Sequence, residues 1–207
     1  MDNGSVKWSS RQEDILLFSN CQNKGFPAGC NQGIKHGRAD SDILLLNSDT
    51  IIFPNSIFWL HMGLYENESV GATGCVTNHT PNGQKIDEEF NSLAEYERYA
   101  VSYNNASMNP YELKFYLGGF AVLIRREALD KIGLLDTRFS PGQCADTDLG
   151  TVYVRQAGKT YCVIIVLCII MVVLGERTEN FGRIETNLTE IYFAKSGILT
   201  ILYLRMY

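Results

Sequence analysis

No two cysteines in this chain stand close enough to make a zinc knuckle. The six, at 21, 30, 75, 144, 162 and 168, include no CxxC spacing. That excludes a zinc ribbon and the disulfide framework of a small secreted domain. A basic excess is also missing: 18 Lys and Arg against 23 Asp and Glu give a net charge of −5, which argues against a general nucleic-acid binder. The first residues are polar and no apolar h-region follows, so no signal peptide is read. The expected setting is reducing and cytoplasmic, which makes the glycosylation sequons at Asn67, Asn78, Asn105 and Asn187 chance matches. The apolar run over residues 161–174 is shorter than the roughly 20 residues of a membrane span. There is no internal repeat or low-complexity segment. What is present is an ordinary globular composition, 45% hydrophobic and 20% charged. At 207 residues the chain can hold one domain with a sizeable core, or a domain plus a tail.

One stretch organises the rest: Asp42-Ile43-Leu44-Leu45-Leu46-Asn47-Ser48-Asp49-Thr50. A continuous apolar run bounded by polar residues predicts a strand buried on both faces, as in a parallel sheet covered by helices. Ligands of such sheets bind beyond the carboxyl ends of the strands, where Asn47, Ser48 and Asp49 would stand. A carboxylate there is costly to desolvate unless it meets a cation. A divalent metal bridging diphosphate oxygens answers that need. The plainer alternative is that these residues end the strand and cap the next helix.

Other segments place glycine or carboxylate where a ligand could use them. A short strand is predicted at Asp14-Ile15-Leu16-Leu17-Phe18-Ser19, leading into Asn23-Lys24-Gly25-Phe26-Pro27-Ala28-Gly29-Cys30-Asn31-Gln32-Gly33-Ile34. Glycines 25, 29 and 33 permit a tight turn and close approach of backbone to a ligand. Pro27 suits a first helical turn, and the helix's amino terminus would favour phosphate. A glycine-rich connection without a ligand has the same pattern. Helix is predicted from 54 to about 65, strand at 70–76, a polar loop at 78–85 and helix within 87–104. Tyrosines 96, 99, 103 and 111 either line a sugar groove or pack in the core. Phe115-Tyr116-Leu117-Gly118-Gly119-Phe120-Ala121-Val122 predicts strand, glycine pair, strand, the glycines admitting a ring close to the backbone. A last helix opens at Cys144-Ala145-Asp146-Thr147-Asp148-Leu149, where an Asp is also a good cap that suits the macrodipole.

In this order and spacing the segments resemble family 2 glycosyltransferases over about residues 2–162. The resemblance implies a GT-A fold: an α/β, Rossmann-like, mostly parallel sheet flanked by helices. It also implies sugar transfer, usually inverting, from a nucleotide-diphosphate sugar to an acceptor hydroxyl. By position, Asp2 in Asp2-Asn3-Gly4-Ser5 takes the family's base-binding role, and Asn23, Gly25 and Asn31 lie along the nucleotide. Asp49 is the implied metal ligand with Asn47 beside it, and Gly118 and Gly119 stand against the donor sugar. Asp146 is the implied general base, Asp148 the runner-up, and Asp136 structural. The family's Glu before the base is replaced here by Ala145. The implied cofactor is Mg2+ or Mn2+. The implied partners are the sugar donor and a glycan or lipid-linked acceptor, in surface polysaccharide or glycan synthesis, with peripheral association at the cytoplasmic membrane face and no nucleic acid. The family carries its first two strands and a helix ahead of the position of Asp2. The expectation is therefore a partial domain over residues 1–162, its first strands missing and a raw edge left in the sheet. Two other readings stay open: nucleotidyl transfer on a related fold, and an inactive sugar-nucleotide-binding remnant.

Residues 163–207 form an anomalous tail. Family character stops after Gln156-Ala157-Gly158-Lys159-Thr160-Tyr161-Cys162, and Val163-Ile164-Ile165-Val166-Leu167-Cys168-Ile169-Ile170-Met171-Val172-Val173-Leu174 follows. Codons ending in AT, for Asn, Asp, His and Tyr, become Ile or Met codons when that AT starts a codon. A frame-shifted reading of a polar segment therefore produces such a pile-up. The alternative frame admits His-His-Tyr-Gly-Ser-Phe-Gly, similar to the His-containing segment that often follows this domain in the family and assists the metal-diphosphate site. We expect the DNA across the codons for Thr160 to Val173 to be able to encode that reading. Codons that cannot encode it would end the idea.

Overall fold

The computed structural model describes residues 18, 20–47, 49–104, 109–140, 144–156, 158–170 and 199–204. Asp2 lies outside the described residues, as do the strand expected at 14–19, apart from Phe18, and most of the tail.

The apolar run forms β1 (Asp42–Asn47). Ile43 and Leu45 enter the core on one face of the sheet and Leu44 and Leu46 on the other, none more than 3% exposed. A strand buried on both sides needs cover on both, and the chain supplies it. On one side lie α1 (Phe26–His36), α3 (Leu93–Tyr103), α4 (Arg126–Ile132) and α5 (Ala145–Arg155); on the other lies α2 (Ser56–Leu64). Pro27 starts α1 as predicted, and Gly133 at φ +89° stops α4. At α3, Ser92 accepts from the Glu95 amide while Glu95 accepts from the Asn91 amide, which holds the first turn closed. Tyr96 packs in the core, 2% exposed, and its hydroxyl donates to the Cys168 carbonyl; of the two roles open to this tyrosine, the observed one is packing.

The remaining strands are β2 (Thr50–Ile52), β3 (Val70–Thr77), β4 (Tyr111–Lys114), β5 (Ala121–Ile124), β6 (Lys159–Ile170) and β7 (Leu199–Leu204). They form one sheet in the order β2-β6-β3-β5-β1-β7, with β4 pairing β6 ahead of β2. The α/β architecture with flanking helices is as expected, but "mostly parallel" is corrected to mixed. β3 and β6 pair in parallel, as do β1 and β7, whereas β5 runs antiparallel to both β1 and β3. A doubly buried strand reads as the same apolar run whichever way its neighbours point, so composition alone could not reveal β5's direction. The raw edge was expected beside residues 14–19 or beside the central strand; at the central strand β1 is paired by β7, and residues 14–17 and 19 lie outside the described residues. β6 runs across the position where the tail was expected to begin, with Cys162, Val163, Val166, Leu167 and Cys168 fully buried.

At the amino-terminal end of β1 a polar cluster ties strands to helices. Buried Arg125 donates to the backbone carbonyls of Leu64, Asn67 and Glu68 and lies over the Tyr65 ring, 4.6 Å from its centroid. Tyr65 donates to Asp42 Oδ2 at 2.9 Å, and Asp42 Oδ1 accepts from the Arg126 amide at 3.0 Å. Burial, then the bond to Asp42, pushes the Tyr65 hydroxyl up to about 12. Arg125→Ala would orphan those carbonyls, and we expect a stability loss of about 3 kcal/mol in urea unfolding. An unchanged midpoint would show that the cluster holds nothing together.

Candidate functional site

The site forms at the opposite end of β1. Its geometry follows from the antiparallel pairing of β1 with β5: Leu46 sits opposite Ala121, so Asn47, which ends one strand, meets the residues that lead into the other. The Asn47 amide donates to the Phe120 carbonyl at 2.9 Å. Immediately before Phe120 are Gly118 and Gly119. A cleft of ≈ 350 Å³ opens here, walled by Asn47, Gly118, Gly119, Asp146 and residues 79–82, with Phe26, Tyr116 and Thr147 around them.

Asp146 stands in the first turn of α5, where the helix dipole favours a carboxylate. Its Oδ2 accepts from the Gly119 amide at 2.8 Å and its Oδ1 from the Thr147 amide at 2.8 Å. A carboxylate has about four acceptor sites, so both oxygens keep a lone pair for another partner. Behind it Cys30 is buried; burial pushes its thiol up, and the Asp146 charge adds to that. Ala145, at the position matched to the family's Glu, is fully buried in the core and takes no part in the cleft.

Asn47 is the other polar anchor. Its Oδ1 is buried and has no hydrogen-bond partner among the described residues. An unpaired buried acceptor costs about 1–3 kcal/mol, so this atom calls for a donor or a cation. Asp49 is exposed just past the strand end, accepts from Thr50 Oγ1 at 3.4 Å and does not line the cleft. Among the described residues no three His, Cys, Asp or Glu side chains cluster as a metal cage. An amide oxygen and a carboxylate are nevertheless the hard donors that Mg2+ or Mn2+ takes when diphosphate oxygens and water supply the rest.

The other predicted residues fall elsewhere. Asn23 accepts from the Gly25 amide at 2.8 Å, a turn that sets up α1, and Gly25 at φ +81° occupies a conformation suited to glycine. Asn31 is buried and uses both ends of its amide on the Leu135 backbone, at 2.7 and 3.0 Å, which ties α1 to the segment before the 3-10 turn at Thr137–Phe139. Asp148 lies half-buried on α5 and does not line the cleft. Asp136 caps that 3-10 turn through the Arg138 amide, the structural role expected of it. Sequence reasoning missed Phe26, Tyr116, Thr147 and the loop at 79–82, which carry no pattern of their own; only their order around Gly118 and Asp146 brings them in.

The family described as "Glycosyltransferase like family 2" matches residues 11–191. The chain belongs to this family. No curated protein matches by sequence. Among solved structures, the chain is similar to the mannosyltransferase PcManGT from Pyrobaculum calidifontis, solved with GDP-Man and Mn2+, at a TM-score of 0.52 and 16% identity over 76% of this chain and 39% of that one. It is also similar to GalNAc-T7, solved with UDP, GalNAc and Mn2+, at a TM-score of 0.57 and 13% identity over 76% of this chain and 32% of that one. At such identities the likeness shows the fold, which is of the GT-A type. The chain spans about a third to two fifths of those neighbours' lengths.

Close packing at Gly119 gives a direct check on the site of this family 2 chain. A Cβ there would stand 3.1 Å from Phe26 Cζ and 3.3 Å from Asp146 Cβ. Gly119→Ala should push Asp146 off the residue 119 amide, raising hydrogen exchange at that amide and costing about 1–3 kcal/mol. Exchange that stays as slow as in the parent would mean that this contact does not hold Asp146.

Proposed function

We propose that this chain carries out glycosyl transfer from a nucleotide-diphosphate sugar to an acceptor hydroxyl, with inversion. The observation that carries the reading is the convergence on one cleft of a helix-start carboxylate, Asp146, a glycine turn and the unpartnered Asn47 oxygen. The acceptor oxygen attacks the anomeric carbon as the bond from that carbon to the diphosphate oxygen breaks. The acceptor's proton passes to Asp146, and the nucleoside diphosphate leaves with the bonding pair. Gly118 and Gly119, lacking side chains, leave room for the sugar ring against the backbone. The Asn47 amide oxygen would hold Mg2+ or Mn2+ from the cleft wall, with Asp49, exposed just past the strand end and outside the cleft lining, as the carboxylate proposed to join it. When bound, that ion supplies positive charge against the leaving diphosphate. Asp2 is proposed to contact the nucleotide base, and Asn23, Gly25 and Asn31 to shape the nucleotide's side of the site. The proposed acceptor is a glycan or lipid-linked hydroxyl, met at the cytoplasmic membrane face. No helix among the described residues is long and apolar enough to cross a membrane.

Titration with nucleoside diphosphate and Mn2+, followed by a donor-turnover assay, tests this. Asp49→Ala should remove the metal-dependent part of nucleotide binding. Asp146→Asn should leave binding intact and lower transfer by about 100-fold or more. If Asp146→Asn turns over normally and Asp148→Asn does not, the base is Asp148. Pyrophosphate release with a sugar phosphate would instead indicate nucleotidyl transfer, and binding with no turnover an inactive remnant.

A further inference from the structure

Gln84 takes no part in the reading above, yet the glycine turn hangs from it. It lies near the end of the polar loop after β3 and is fully buried. Its Oε1 accepts from the Gly118 amide at 2.8 Å and from Asn82 Nδ2 at 2.7 Å, and its Nε2 donates to the Cys75 carbonyl at 2.8 Å. Both backbone partners have fixed polarity, so the side-chain amide has one possible orientation. Space for it comes from Gly74, where a Cβ would stand 3.2 Å from Gln84 Nε2. Its own backbone is held too: the Gln84 amide donates to Asn82 Oδ1 and its carbonyl accepts from the Thr77 amide. The two glycine amides of the cleft wall are thus both directed at side chains, Gly118 at Gln84 behind the wall and Gly119 at Asp146 in front of it.

We propose that Gln84 is a positioning residue for transfer: by fixing the Leu117–Gly118 peptide it anchors the turn whose next peptide carries the Gly119 N–H, and so holds the orientation of the Asp146 carboxylate. This rests on the transfer reading above. A misplacement of about 1 Å at a reacting group costs on the order of 100-fold in rate, and a buried amide bonded both to β3 and to the glycine turn resists such drift.

The test uses the whole chain. In the parent, hydrogen exchange at the Gly118 amide should be slow, and rapid exchange there overturns the proposal without any variant. Gln84→Met keeps the volume and removes all three side-chain bonds. It should speed exchange at the 118 and 119 amides and lower kcat by about tenfold to 100-fold, while the Kd for UDP or GDP with Mn2+ stays within about twofold. Gln84→Glu keeps an acceptor for Gly118 and should recover most of kcat. A merely structural role would lower kcat and nucleotide affinity together, with no rescue by Glu, and that pattern overturns the proposal. Should Gln84→Met not fold, the Glu variant and the parent's Gly118 exchange still decide. Failure of the parent to bind any nucleotide removes the transfer reading itself, and the inference with it. Parent binding and turnover with an unaffected Gln84→Met removes the inference alone.

Discussion

The bond from the Asn47 amide to the Phe120 carbonyl closes the β1–β5 pairing at the end where ligands of α/β sheets bind. Because β5 runs against β1, the last residue of one strand must meet the residues before the other. Had β5 been parallel, the glycine pair would have sat at the far end of β1, beside Asp42. The antiparallel insertion between β1 and β3 thus converts two segments more than 70 residues apart into neighbours on one wall. α5 then needs only to start nearby for Asp146 to reach the Gly119 amide.

The legible part of this protein was the part written in local pattern. The doubly buried β1, the helix begun by Pro27 and the stop at Gly133 each follow from propensity or burial, and each lies where it was expected; the strand expected just before the glycine pair is not there, since β4 ends at Lys114 and residues 115–117 are irregular. Strand direction was not legible, because it is decided by neighbours and not by the strand's own residues. Nor was the division of labour among the polar residues. Asn31 and Asn47 look alike in sequence, yet the first is saturated by Leu135 and the second has an unpaired oxygen in the cleft. Gln84 gave no signal at all, since a glutamine in a polar loop is ordinary until the loop folds back and buries it completely.

The same logic explains why Ala145 is compatible with a working cleft. Its side chain points into the core that α5 shares with α1 and β1, and a small apolar residue there is well placed. The residue after it points the other way and carries the carboxylate. Successive helical residues are turned about 100° from each other, so Ala145 can face the core while Asp146 reaches the cleft, and the loss of a polar group at one says little about the other.

Two buried polar atoms among the described residues have no partner, Asn47 Oδ1 and Arg125 Nε, and they do not mean the same thing. Arg125 is a five-donor group whose remaining nitrogens reach three carbonyls and whose plane lies on Tyr65. Its idle N–H is a small remainder in a cluster that otherwise locks helix α2 to β5. Asn47 has no such compensation on its oxygen, and it borders the cleft shared with Gly119 and Asp146. Natural sequences keep local rules except where function requires otherwise. An acceptor left bare beside a cleft is an unsatisfied buried group of the kind that costs about 1–3 kcal/mol. The opposite end of the strand, where Asp42 has both oxygens satisfied by Tyr65 and Arg126, supplies the contrast: the same strand is finished at one end and left open at the other.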